Sequence, residues 1–175
     1  VVSAGFTCWS REAAIEKAIA LKLPLMFATA PVSLTMPPVI LSKPLLLNAI
    51  KIDPSYVRAY HTLGNVHLML KQYVDAISNY NKAINLEPAY KYSVAGLGDA
   101  YNRLGNYPEA IKHLTKAIVI DSEYSWAYSK LGDVYLNKGD YLDAISSYEQ
   151  AIELEPNNKY SVAGLGDAYN RLGNY

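Results

Sequence analysis

The chain has 175 residues, 51% of them apolar, and its 16 basic and 16 acidic side chains cancel to a formal net charge of zero. That length fits one domain, or one repeat array with an extension, and the apolar share is enough to bury a core. With no net charge and no cluster of Lys or Arg, electrostatics offers no basis for binding nucleic acid or a membrane surface.

Composition shifts part-way along. All 16 tyrosines lie at or after Tyr56, whereas five of the nine prolines fall between Pro24 and Pro44. Residues 1–41 read as an N-terminal extension. Within it Ser10 is placed to cap a short helix, with Glu12 favourably set against the helix dipole. Ala14, Ile15, Ala18, Ile19 and Lys22 keep helical spacing, and Leu23, which precedes Pro24, is pushed out of the α region and ends the helix. The twenty residues from Leu23 to Ser42 carry no charge, a length that suits a transmembrane helix. Pro24, Pro31, Pro37 and Pro38 interrupt it, however, and an interior proline costs ~3 kcal/mol in a helix. It is also a poor signal peptide, because no basic region sits directly ahead of an unbroken apolar stretch. An irregular or extended apolar segment is expected rather than a membrane anchor. The one cysteine, Cys8, excludes an internal disulfide and suits a reducing compartment, so a cytoplasmic location is expected. With no second cysteine or basic activator beside it, an inert buried thiol is the expectation.

From Ser42 onward a period of 34 takes over. Lys91–Tyr107 reads KYSVAGLGDAYNRLGNY, Lys159–Tyr175 repeats those seventeen residues unchanged 68 positions later, and Ser125–Tyr141 is a variant half-way between. A period in this range marks a stacked-repeat architecture. One unit carries Tyr60, Leu63, Gly64, His67, Ala76, Tyr80, Ala83 and Pro88. The next carries Val94, Leu97, Gly98, Tyr101, Ala110, Leu114 and Ala117, with Ser122 in place of the proline. The third carries Tyr128, Leu131, Gly132, Tyr135, Ala144, Tyr148, Ala151 and Pro156, and a fourth begins with Val162, Leu165, Gly166 and Tyr169. Upstream, Leu46, Ala49 and Pro54 stand in the register of a preceding half unit. The array therefore spans 42–175, as a half unit 42–56, full units 57–90, 91–124 and 125–158, and a half unit 159–175. Units one and three agree at 17 of 34 positions and units one and two at 10, which points to duplication of a two-unit block.

Residues three and four apart share a helix face, so each unit reads as two helices. Tyr60, Leu63, Gly64 and His67 form the stripe of the first, and Ala76, Tyr80 and Ala83 that of the second. Small residues let the helix axes approach and large ones fill the gaps. Gly105-Asn106 and Gly139-Asp140 supply the turns, and Leu-Glu-Pro at 86–88 and 154–156 stops the second helix. This pattern resembles the tetratricopeptide repeat family. The resemblance implies an all-α fold, a right-handed superhelical stack of helix-turn-helix units (an α-solenoid). The fourth unit stops after its first helix, so the face of Leu165, Tyr169 and Leu172 lacks its own second helix; this last helix is expected to cover the third unit but leave an apolar edge, favouring self-association or fraying.

No catalytic constellation emerges. His61, His67 and His113 lack partners in a catalytic order, and His67 sits on a packing stripe. Gly96-Leu97-Gly98 lies inside a helix rather than between a strand and a helix, so it fails the test for a nucleotide-binding loop. No Cys/His spacing suits a metal, and neither a cofactor nor an enzymatic activity is expected.

Function follows from the resemblance. Members of this family use the inner face of their first helices as a groove for a partner peptide or protein, so a non-enzymatic interaction scaffold is expected. The alternative is a repeat-bearing fragment of a larger enzyme or complex. The matching face holds Arg58, His61 and Asn65, then Tyr92, Asp99 and Arg103, then Trp126, Lys130, Asp133 and Asn137, then Tyr160, Asp167 and Arg171. Chaperone-binding members clamp a C-terminal carboxylate at positions that match His61, Asn65, Gly96, Trp126 and Lys130. Only Asn65 agrees, with Lys130 standing in for Arg, so that clamp is expected to be absent. Two ladders run at the repeat period instead, Tyr92, Trp126, Tyr160 and Asp99, Asp133, Asp167. Two readings stand for them: packing and solvation of the helices, or a surface for a peptide with basic and apolar residues.

Overall fold

The computed structural model describes residues 38–173. The expected helix after Ser10, Cys8 and the apolar segment up to Pro37 lie outside the described residues. Among the described residues there are eight helices: α1 (Pro38–Ile52), α2 (Val57–Met69), α3 (Tyr73–Leu86), α4 (Lys91–Arg103), α5 (Tyr107–Ile120), α6 (Ser125–Lys138), α7 (Tyr141–Leu154) and α8 (Lys159–Gly173). No strand occurs among the described residues. The division into compact units falls between Pro44 and Leu45, and every helix pair belongs to the second unit, Leu45–Tyr175. The expectation of irregular chain through Ser42 is corrected at its end, because α1 already begins at Pro38 and runs through Pro44. Pro38 supplies a φ preset for the first helical position, where its missing N–H costs nothing.

The pairs α2–α3, α4–α5 and α6–α7 pack side by side, and each first helix also touches the next one, α2 on α4, α4 on α6 and α6 on α8. The result is a right-handed superhelical α-solenoid, with the first helices lining one face. Each turn within a pair is closed by the same backbone bond: Gln72 N–H to His67 O, Asn106 N–H to Tyr101 O and Asp140 N–H to Tyr135 O, all at 2.9 Å. Closing it needs a left-handed residue one position earlier. Gly105 (φ 77°) and Gly139 (φ 93°) supply it, and Lys71 (φ 58°) does so in the first unit at the strain of a side chain.

Tyr56, Tyr90 and Tyr124 precede the first helices, and their carbonyls accept the N–H groups of Ala59, Ser93 and Ala127 at 2.9–3.0 Å. The second helices end at Glu87, Asp121 and Glu155, the first two extended. Asp121 adopts this shape without a following proline. Its carboxylate accepts the Glu123 N–H at 3.0 Å, which closes the turn in proline's place.

The core explains the two-unit block. The Tyr80 ring is fully buried in the first pair and the Tyr148 ring in the third. A Cβ built on Gly64 or Gly96 would lie 2.6–2.8 Å from Tyr80, and one on Gly132 or Gly164 would lie 2.5–2.7 Å from Tyr148. Each tyrosine is thus wedged between a glycine of its own unit and a glycine of the next. Leu114 occupies the matching place in the second unit, and the following first helix there carries Lys130 instead of glycine. Large residue and facing gap alternate with a period of 68, which the duplication preserves.

Candidate functional site

The face lined by α2, α4, α6 and α8 is built in two bands. The first is polar. Between α4 and α6 a pocket of about 230 Å³ is lined by Asp99, Asn102, Arg103, Lys130, Asp133, Leu136 and Asn137. Five of these are sequence-predicted site residues, brought together from two helices. Their charges are satisfied internally. Arg103 Nε donates to Asp99 at 3.2 Å, and Lys130 Nζ donates to Asp133 at 2.7 Å. Asn137 Nδ2 reaches across to Asn102 Oδ1 at 3.2 Å. Asp99 is only 4% exposed, so it is no solvated surface charge.

The wedged tyrosines open into this band. Tyr148 donates to Asp133 at 2.8 Å, and Tyr80 donates to Asn65 at 2.6 Å. Burial pushes both phenols well above their usual range, and the negative charge of Asp99 beside Tyr80 and of Asp133 beside Tyr148 pushes the same way. From Tyr80 the bonds continue. Asn65, having spent its Oδ1, donates through Nδ2 to His61 Nε2 at 3.1 Å. The neutral imidazole then carries its proton on Nδ1 and donates to Ser93 Oγ at 3.2 Å. Burial first, then the nearby Arg58 charge, holds the His61 pKa down to about 4. Three helices, α3, α2 and α4, are tied by this one relay.

The second band is aromatic and runs along the N-terminal ends of the first helices. His61 meets Tyr90 edge-on at 5.5 Å, Tyr90 meets Tyr92 at 5.3 Å, Tyr92 meets Tyr124 at 5.6 Å, and Tyr124 stacks on Trp126 at 5.9 Å. Lys91 lies over Tyr92 and Tyr124 and is held there by Asp121. Lys130 lies over Trp126 at 5.6 Å. Trp126 is half-buried against the core of the second and third units, whereas Tyr92 is 44% exposed.

Not every predicted site residue joins these bands. Arg58 is exposed beside His61. Tyr160 is 74% exposed, with Lys159 over its ring. Asp167 and Arg171 pair with each other at 3.0 Å, away from the pocket. The last helix lies on the third unit and keeps an apolar edge. Leu165 and Leu172 pack against the cluster around Tyr148, and the exposed side chains are Val162 and Tyr169. Sequence reasoning missed Tyr90 and Tyr124, which sit just before the helices and read as loop. Their recurrence with Tyr56 at the repeat period was the available signal.

Tetratricopeptide repeat models match residues 57–90 and 125–158, and a TPR repeat model matches 98–139. The crystal structure of MamA protein is 30% identical, with a TM-score of 0.63, and the match covers 73% of this chain and 70% of that one. The chain belongs to the tetratricopeptide repeat family. The second TPR domain of the human RPAP3 protein, in complex with HSP70 peptide SGPTIEEVD, is 31% identical over 61% of this chain and 88% of that one, with a TM-score of 0.57. The first TPR of Spaghetti (RPAP3), bound to HSP90 peptide SRMEEVD, is 26% identical over 67% of this chain and 93% of that one, with a TM-score of 0.63. No curated protein matches the sequence. Among the described residues, no helix of this tetratricopeptide repeat array is long and apolar enough to cross a membrane.

Proposed function

We propose that the array is a non-enzymatic scaffold that binds a partner peptide in the groove along its first helices. The observation that carries the reading is the pocket between α4 and α6, where Asp99, Arg103, Lys130, Asp133 and Asn137 converge beside half-exposed rings. Similar structures hold peptides, which supports a peptide as ligand here. Those peptides end in acidic residues, and the positions that match a carboxylate clamp are not occupied for that task, since His61 is a neutral member of the relay and Gly96 is filled by Tyr80. The ligand proposed is an extended peptide with apolar side chains on Tyr92 and Trp126 and a Lys or Arg entering the pocket toward Asp99 and Asp133. To enter, that cation competes with Lys130 for its carboxylate, so it adds selectivity more than affinity.

Binding is tested by titrating the chain with labelled peptides that differ only in one central residue, Lys, Ser or Glu. The Lys peptide is expected to bind best, and Asp133→Lys to abolish that preference. Trp126→Ala is expected to weaken binding by ~2 kcal/mol. A Glu peptide that binds as well as the Lys peptide would overturn the ligand class. Unchanged binding by Trp126→Ala would remove Trp126 from the groove.

A further inference from the structure

Helix α8 repeats the residues of α4, and α4 shows what one stripe of that sequence packs against. Val94 is fully buried in one cluster with Ala110, Leu114 and Ala117. Gly98 touches Leu114 so closely that a Cβ there would lie 2.6 Å from its Cγ. Tyr101 stacks on His113 at 5.6 Å, and Lys91 pairs with Asp121. All these partners lie on α5 or its C-terminal cap. On α8 the same stripe is Val162, Gly166 and Tyr169. Both side chains are exposed, and a Cβ on Gly166 would meet nothing within 4 Å. The stripe is a seat shaped for a helix of the α5 pattern.

That pattern recurs in α1. Shifted by the 68-residue block, His113, Leu114, Ala117 and Asp121 become Leu45, Leu46, Ala49 and Asp53. The other second helices, α3 and α7, differ at both decisive places. They carry Tyr80 and Tyr148 where α5 has Leu114, and Glu87 and Glu155 where it has Asp121. Leu45 is exposed and Leu46 and Ala49 are half-buried, whereas Leu114 and Ala117 are fully buried. Asp53 also copies the pose of Asp121. It takes the Ser55 N–H on Oδ1 at 2.9 Å, as Asp121 takes the Glu123 N–H on Oδ1 at 3.0 Å while turning Oδ2 to Lys91.

We propose that α1 of a second copy seats on the open stripe of α8, so that copies join head to tail. The seat is on the side of α8 that faces second helices, so the inference stands apart from the peptide groove. Leu46 of the second copy fills the space over Gly166, Leu45 lies on the Tyr169 ring, and Asp53 meets Lys159. These contacts repeat those of Leu114, His113 and Asp121 with α4. Covering Val162 and Tyr169 removes apolar surface from water and drives the association, while the Lys159–Asp53 pair fixes its register. Because two different surfaces meet, each added copy leaves a free surface at either end, and the assembly grows.

Sedimentation velocity of the whole chain over a range of concentrations tests this. The mean mass is expected to rise with concentration past two copies. Gly166→Leu sends a side chain into open space in the single chain but into Leu46 of the second copy. It is expected to weaken association roughly tenfold or more without lowering the melting temperature of dilute protein. Lys159→Glu sets two acids against each other and is expected to weaken association roughly tenfold. Asp53→Asn is expected to weaken association of the parent, yet to strengthen that of the Lys159→Glu variant. A chain that stays single at every concentration overturns the proposal. So does association that Gly166→Leu leaves unchanged, which runs through another surface. An Asp53→Asn effect of the same sign in both backgrounds overturns the pairing of α1 with α8.

Discussion

Helices α4 and α8 carry the same residues, Lys91–Arg103 and Lys159–Arg171, in different surroundings. Leu97 is 1% exposed and Val94 is fully buried, whereas Val162 is 50% exposed and Leu165 half-buried. The Ser93 hydroxyl meets His61, but the Ser161 hydroxyl is buried with no hydrogen bond among the described residues, because Ser129 stands where His61 would. Asp99 and Arg103 form one wall of a pocket whose other wall is α6. Asp167 and Arg171 make the same ion pair on an open surface. One sequence thus becomes a buried helix that walls a pocket in one place and a half-exposed cover in another, and the neighbours decide which.

The comparison is sharpest at one glycine. A Cβ on Gly98 would meet Leu114 Cγ at 2.6 Å and the Ala110 carbonyl at 3.2 Å, while one on Gly166 meets nothing within 4 Å. Gly98→Ala is expected to destabilise by ~1–3 kcal/mol through overpacking. Gly166→Ala is expected to stabilise by ~0.5–1 kcal/mol, the ordinary gain of alanine within a helix. Urea unfolding of the two variants checks the opposite signs, and a shared sign breaks the comparison.

A second test sets the first unit against the third. Asn65 and Asp133 hold equivalent positions, and each accepts the hydroxyl of a wedged tyrosine. Asp133→Ala leaves the buried Tyr148 hydroxyl without its acceptor and is expected to cost ~1–3 kcal/mol. Asp133→Asn recreates the Asn65 arrangement and is expected to stay within ~0.5 kcal/mol of the parent. Thermal melts of both variants decide it, and an Asn variant as damaged as the Ala variant would show that the charge, not the acceptor, matters.

The helix pairs were legible because the Leu-Gly landmarks and the turn glycines recur in register. The duplication was legible too, as a count of shared positions. Its physical reason was not, since nothing in a one-dimensional pattern says that Gly96 and Gly164 face tyrosines of the preceding unit. The polar half of the site was half legible. Spacing placed Asp99, Arg103, Lys130, Asp133 and Asn137 on one face, but the pairings that neutralise them depend on rotamers and on how closely α4 approaches α6. Tyr90 and Tyr124 escaped because a residue ahead of a helix start has no face of its own until the neighbouring unit packs against it.

A smaller effect should appear with pH. The unfolded chain takes up a proton on His61 near its ordinary pKa of 6.5, and the folded chain only at about 4. The folded state binds fewer protons across that window, so this contribution to stability is complete above pH 6.5 and is lost as the pH falls toward 4. Protonation also places an N–H at Nε2 against the Asn65 donor and breaks the relay. His61→Ser, which copies Ser129, is expected to flatten the melting temperature between pH 7 and pH 4 relative to the parent. Parallel pH profiles would contradict the buried neutral imidazole.

The groove itself is tested most directly by the two copies of one residue. In an isotope-labelled chain titrated with the Lys, Ser and Glu peptides, the backbone amides of Asp99 and Arg103 are watched beside those of Asp167 and Arg171. The expected result is that Asp99, Arg103, Lys130 and Asp133 shift with at least one peptide while Asp167 and Arg171 stay in place. Equal shifts at both copies, or none at α4 and α6 with any peptide, would contradict a binding site made by the approach of those two helices.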